Sequence, residues 1–156
     1  MRKSFNPSFL CIFLLMLSCS HREIFLKYHS FAGAEWKRDD GAVFKVEIGD
    51  NSQVCDATIE IRSDNTYSFS NIWLFVDCKS PDGSIHTDTV GADLADVKGK
   101  WFGKGLSLHN LSIPYKQNLF FPNTGTYIYS IRQGMQDNPL RGITDIALKI
   151  SEKSGK

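Results

Sequence analysis

The feature that most limits how this chain can fold is a period of two. Phe44, Val46 and Ile48 alternate with Lys45 and Glu47, and Ala57, Ile59 and Ile61 alternate with Thr58, Glu60 and Arg62. Ile72, Leu74, Val76 and Cys78 share one parity of a third run. A helix would scatter these side chains around its circumference, whereas a strand puts alternate residues on one face, so each run reads as a strand half-buried against a core. Gly49-Asp50-Asn51, Ser63-Asp64-Asn65 and Ser80-Pro81-Asp82-Gly83 separate the runs with turn residues. Ile85–Val90, Leu106–Ile113, Leu119–Phe121, Tyr127–Ile131 and Ile146–Ile150 bring the set to about eight strands. Leu106 and Leu108 hold one parity while Leu111 and Ile113 hold the other, which predicts a bulge near His109-Asn110. No stretch sustains a helical period, and Asp93–Val97 makes at most one helical turn.

An all-β chain must hide its sheet edges, and two packed layers do so economically. The expectation is a two-layer antiparallel β-sandwich, immunoglobulin-like or jelly-roll-like, with a closed barrel as the alternative.

The N-terminus follows different rules. Arg2 and Lys3 precede an unbroken apolar run from Phe9 to Leu17, which has the length of a signal-peptide core and is too short for a bilayer span. The segment Leu15-Met16-Leu17-Ser18-Cys19 closely matches the lipobox of bacterial lipoproteins. Residues 1–18 are therefore expected to be cleaved, and Cys19 to carry the acyl chains that tie the protein to a membrane. Two or more chains are needed for durable anchoring, at about 0.8 kcal/mol per buried CH₂. The expected layout is signal peptide 1–18, tether and lead-in segment 19–41 with Trp36 as its anchor, sandwich 42–150 and polar tail 151–156. Removing Arg2 and Lys3 leaves 16 basic against 17 acidic residues, which gives no electrostatic case for nucleic acid.

Two thiols remain in the mature chain. Antiparallel pairing that sets Cys55 against Cys78 also sets Ala57 against Val76, Ile59 against Leu74 and Ile61 against Ile72, so every apolar residue shares a face. In an oxidising envelope this register predicts a disulfide between Cys55 and Cys78, worth about 3 kcal/mol in the chain-entropy model. Two buried thiols packed as small apolar groups are the alternative.

Chemistry is sparse. His21, His29, His86 and His109 stand at no metal-ligand spacing, so no metal is expected. His86 and Asp88 share a strand face without a nucleophile in a strained turn, so no catalytic residues are assigned. Asp39, Asp40, Asp93 and Asp96 lack calcium-loop spacing. The glycines in Gly99-Lys100-Trp101-Phe102-Gly103-Lys104-Gly105 follow no phosphate-loop order and read as turns around a Trp anchor. No cofactor and no small-molecule substrate are expected. Trp73 and Phe75 lie opposite Ile72, Leu74 and Val76, so this strand is apolar on both sides. Either a loop covers the outer side, or the pair forms an exposed patch for a partner. Stacking of Trp36, Trp73 and Trp101 on sugars would make a carbohydrate-binding module, which is the alternative function.

Several motifs in order resemble the GldH gliding-motility lipoproteins of Bacteroidetes. They are Tyr67-Ser68-Phe69-Ser70-Asn71-Ile72-Trp73-Leu74-Phe75-Val76, Asp88-Thr89-Val90, Ala95-Asp96-Val97-Lys98-Gly99-Lys100-Trp101-Phe102-Gly103-Lys104-Gly105 and Phe121-Pro122-Asn123-Thr124-Gly125-Thr126-Tyr127. Gln133-Gly134-Met135 and Leu140-Arg141-Gly142-Ile143-Thr144-Asp145-Ile146 complete the match. The resemblance implies a non-enzymatic, lipid-anchored accessory of the gliding and associated secretion machinery, whose partners are other envelope proteins. No acidic cluster follows Cys19, and in Bacteroidetes lipoproteins that pattern goes with the periplasmic side of the outer membrane.

Overall fold

The computed structural model describes residues 22–153, so the predicted signal peptide and Cys19 lie outside the described residues. The strands are β1 (Glu23–Ser30), β2 (Glu35–Trp36), β3 (Ala42–Ile48), β4 (Val54–Asp64), β5 (Asn71–Lys79), β6 (Ile85–Asp93), β7 (Leu108–Phe120), β8 (Gly125–Gln133), β9 (Leu140–Arg141) and β10 (Ile143–Glu152). One sheet has the order β1-β10-β4-β7 and the other β3-β8-β5-β6, while β2 and β9 pair with each other. Every pairing is antiparallel. With the two short strands set aside, the first, eighth, third and sixth strands face the second, seventh, fourth and fifth. That order is the jelly roll, so the sandwich takes this form and not the immunoglobulin one.

The alternation does what its period predicts. Phe44, Val46 and Ile48 from β3, Ala57, Ile59 and Ile61 from β4, and Ile72, Leu74 and Val76 from β5 all point into one core. From β10, Ile146, Leu148 and Ile150 join them with no exposed surface. Trp36 is fully buried over the end of the sandwich. It stacks on Phe31 at 4.5 Å between ring centroids, and its Nε1–H donates to the Asp40 carbonyl at 2.7 Å.

Three expectations are corrected. First, residues 23–30 are not part of a tether: β1 pairs along β10 from Glu23↔Ser151 to Ser30↔Asp145, so the sandwich begins at Glu23 and not at residue 42. It also ends later, because β10 takes in Ser151 and Glu152 from the predicted tail. Second, β4 and β5 are not partners. β4 pairs with β10 and β7, and β5 with β6 and β8, so Cys55 and Cys78 belong to opposite sheets and are both free. The parity match was real, but the two apolar rows meet across the core instead of lying side by side, because the jelly-roll order sends β4 and β5 to opposite layers. Third, β7 runs unbroken through His109-Asn110, and its register shifts fall lower, opposite the Cys55–Thr58 stretch of β4. Leu106 and Leu108 are exposed, which is why their parity disagrees with that of Ile113. Asp93 ends β6, and the residues that follow it form a bridge between Ala95 and Trp101, in keeping with the expectation of at most one helical turn there.

Burial pushes the Cys55 thiol up, as do the nearby Glu152 and Asp56 carboxylates. Burial also pushes up Cys78, against opposing effects from Tyr129 and Lys116. Both are therefore protonated and slow to exchange at neutral pH. The purified domain should run identically on gels with and without reductant, and Cys55 and Cys78 should both alkylate once the chain is unfolded. A mobility shift on reduction would restore the bridge.

Candidate interaction face

The outer face of the β3-β8-β5-β6 sheet carries the odd-numbered residues of β5, because the even-numbered ones fill the core. Trp73 and Phe75 stand on it uncovered, 48% and 39% exposed, so no loop closes over them. Their neighbours across the ladders are Gly91 and Thr89 on β6 and Arg132 on β8. The Trp73 ring lies directly over Gly91: a Cβ there would sit 2.6 Å from the indole. The glycine thus lets a large ring lie against the sheet, where an aromatic also protects the bare backbone. Phe75 similarly approaches Gly134, whose N–H donates to the Trp73 carbonyl at 2.7 Å. Both rings are held by their surroundings without being buried.

Below the aromatics the same face turns polar. Arg132 pairs with Asp77 at 2.8 Å, and the Thr87 hydroxyl donates to the other Asp77 oxygen at 2.7 Å. The hydrogen bond from Thr87, and then that from Arg132, hold the Asp77 carboxyl below its ordinary value. This cluster is saturated internally, and the apolar surface left open on the face is Trp73 and Phe75 together with the separate aliphatic side chains Val43 and Ile85.

The flank where β6 meets β7 is closed. Asp88 points inward from the edge strand and receives Tyr115 Oη at 2.6 Å, Lys116 Nζ at 2.9 Å and His86 Nε2 at 3.0 Å. Burial works to raise the Asp88 carboxyl, but these partners outweigh it and hold the group low. An inward charge of this kind blunts an edge against strand addition. His86 also lies opposite Cys78 in the ladder. The thiol is protonated, however, and Asp88 is committed to joining the sheets, so the cluster reads as a structural stitch.

The tryptophans separate in role. Trp36 is buried, and Trp101 is half-buried and stacked on His109 at 4.6 Å, so Trp73 is the one that offers an open ring. Among the described residues, no group of three or more His, Cys, Asp or Glu side chains is placed to hold a metal ion. What sequence reasoning missed is the loop 94–107 between β6 and β7. Trp101 anchors it as expected, yet Val97, Phe102 and Leu106 project from it into solvent, joined by Leu108 at the start of β7. Apolar residues scattered between Gly and Lys without periodicity were the available signal.

The family model described as GldH lipoprotein matches residues 23–150. The chain belongs to the GldH lipoprotein family. It is 34% identical to the gliding motility lipoprotein GldH homolog of Christiangramia forsetii, over 99% of each chain. It is 27% identical to the gliding motility lipoprotein GldH of Flavobacterium johnsoniae, over 90% of this chain and 91% of that one. Among solved structures, dimeric latent PorU from Porphyromonas gingivalis matches 87% of this chain and 14% of its own at 10% identity, with a TM-score of 0.31. SO0799 from Shewanella oneidensis matches 82% and 68% at 17% identity, with a TM-score of 0.23. Overlaps this poor carry no argument about the GldH fold. The matched residues 23–150 take in β1, in agreement with a domain that starts there.

Proposed function

We propose that this chain is a lipid-anchored, non-enzymatic accessory of the gliding-motility machinery and its associated secretion system. In this reading it is held on the periplasmic side of the outer membrane and works by binding other envelope proteins. Membership of the GldH family supports the role. The observation that carries the mode of action is the pair Trp73 and Phe75, fixed against glycines on the outer sheet face and left open to solvent. Rigid, partly exposed aromatics with little side-chain entropy left to lose are the residue types that dominate protein interfaces.

The double variant Trp73→Ala Phe75→Ala tests this by affinity capture of native partners from solubilised envelopes. Because both rings are outside the core, the variant is expected to keep its fold, with less than about 2 kcal/mol lost, while partner recovery drops at least roughly tenfold. Equal recovery from a folded variant would remove this face from the function.

A further inference from the structure

Resting on the protein-binding reading above, we propose that the loop 94–107 with the start of β7 is a second docking element, and that its occupant is a protein surface combining apolar patches with carboxylates. The loop is not slack. Asp96 Oδ1 accepts from the backbone N–H groups of Lys98 and Lys100, Asp96 N–H donates to the Lys100 carbonyl, and Gly99 N–H donates to the Asp96 carbonyl. Phe102 N–H reaches the Leu94 carbonyl, and Lys104 exchanges two backbone bonds with Asn110. Gly105, at φ +132°, lets the chain fold back so tightly that a Cβ would lie 1.7 Å from the Leu108 carbonyl oxygen. With these bonds made and Trp101 tucked against His109, the loop nonetheless leaves Leu106 93% and Phe102 56% exposed, along with Val97 and Leu108. A preformed apolar display of this kind adds nothing to the core and loses little entropy when covered.

Charge and position select the occupant. Lys98, Lys100 and Lys104 stand among these side chains, and none takes part in an ion pair among the described residues. The only acid inside the turn, Asp96, is spent on backbone bonds. A cationic, apolar loop suits an acidic apolar partner, but it would equally suit an anionic lipid surface. Geometry decides between them. Only Ser20, His21 and Arg22 separate Cys19 from β1, a reach of roughly 13 Å at full extension. The start of β1 shares its end of the sheet with Cys55 of β4, whereas Leu108 pairs with Asp64 at the far end of that 11-residue strand. That places the loop roughly 30 Å farther out, aimed away from the membrane that would hold Cys19. It lies on the β6 side, at the end of the sheet to which Trp73 is nearer, so the two surfaces adjoin.

The test uses the full lipidated chain in its own cells, with a photo-crosslinking phenylalanine analogue at position 102 or 106, and at the exposed control position Tyr28. Discrete protein adducts are expected from 102 and 106 and none from 28, and the crosslinked partner peptides should carry Asp or Glu. Lys98→Glu Lys100→Glu Lys104→Glu should cut the adducts at least roughly tenfold, while arginine at all three positions should preserve them. The loop bonds of Lys98 and Lys100 run through backbone N–H groups, so both triple variants keep the turn. Adducts indifferent to charge reversal would overturn the proposal. So would adducts to lipid only, or sedimentation of the Cys19→Ser chain with phosphatidylcholine–phosphatidylglycerol vesicles in a way that depends on Phe102 and Leu106. If the loop gives no adducts while Trp73→Ala Phe75→Ala still loses its partner, this inference falls and the reading it rests on stands.

Discussion

Replacing Cys19 with serine is expected to move the protein in full from the membrane fraction to the soluble fraction. Each buried methylene contributes about 0.8 kcal/mol, so one chain binds only marginally and a second makes attachment durable. Serine offers no thiol for the first acyl chain, and because lipoprotein processing depends on that chain, the variant is exported behind an ordinary cleavable signal peptide in place of residues 1–18, so that no apolar leader stays attached. The change should leave the domain itself intact. Its core is drawn from residues between Ile24 and Ile150, and its first described backbone bond at this end joins Glu152 N–H to the Arg22 carbonyl. The measurement is fractionation of envelopes after a carbonate wash, with incorporation of radiolabelled palmitate as the direct check. Retention of the serine variant on washed membranes, or absence of label from the wild type, would end the anchoring proposal. The short tether adds a corollary: lengthening it by a dozen Gly and Ser residues should keep the protein on the membrane but weaken a function that needs the body held at a fixed height.

Trp36→Ala should be the most damaging of the single substitutions considered, at about 3–5 kcal/mol. The indole is wholly buried, stacked on Phe31, and bonded through Nε1 to the Asp40 carbonyl, which the substitution would leave without that donor. It also pins β2 to β9, through the Trp36↔Leu140 pair, over the open end of the jelly roll. Against a total stability of about 5–15 kcal/mol, a loss of this size leaves a significant unfolded population. Urea unfolding followed by far-ultraviolet circular dichroism would show the midpoint fall, with Trp73→Ala as a surface control expected to move it far less. Near-equal effects of the two substitutions would mean that the 31–41 segment is not the lid the structure shows.

The legibility of this protein divides along a physical line. Strand content, the inward rows on β3, β4 and β5, the Trp36 anchor and the outward parity of Trp73 and Phe75 were all readable, because a strand's period of two is a local property. β1 was missed because Ile24, Phe25 and Leu26 are adjacent and all half-buried at a sheet edge, which erases the alternation. The exposed loop was missed because its side chains have no period at all, and exposure there depends on where neighbouring strands stop.

By itself, then, the amino-acid order determined that this chain makes strands, which side of each faces the core, and which family it resembles. It also marked Cys19 as the residue to watch. Only the tertiary structure decided which rows are neighbours: the same apolar parity fits two strands joined side by side and two strands facing each other across a core. Backbone hydrogen bonding and loop closure between distant segments make that choice, and they placed Cys55 and Cys78 in opposite sheets.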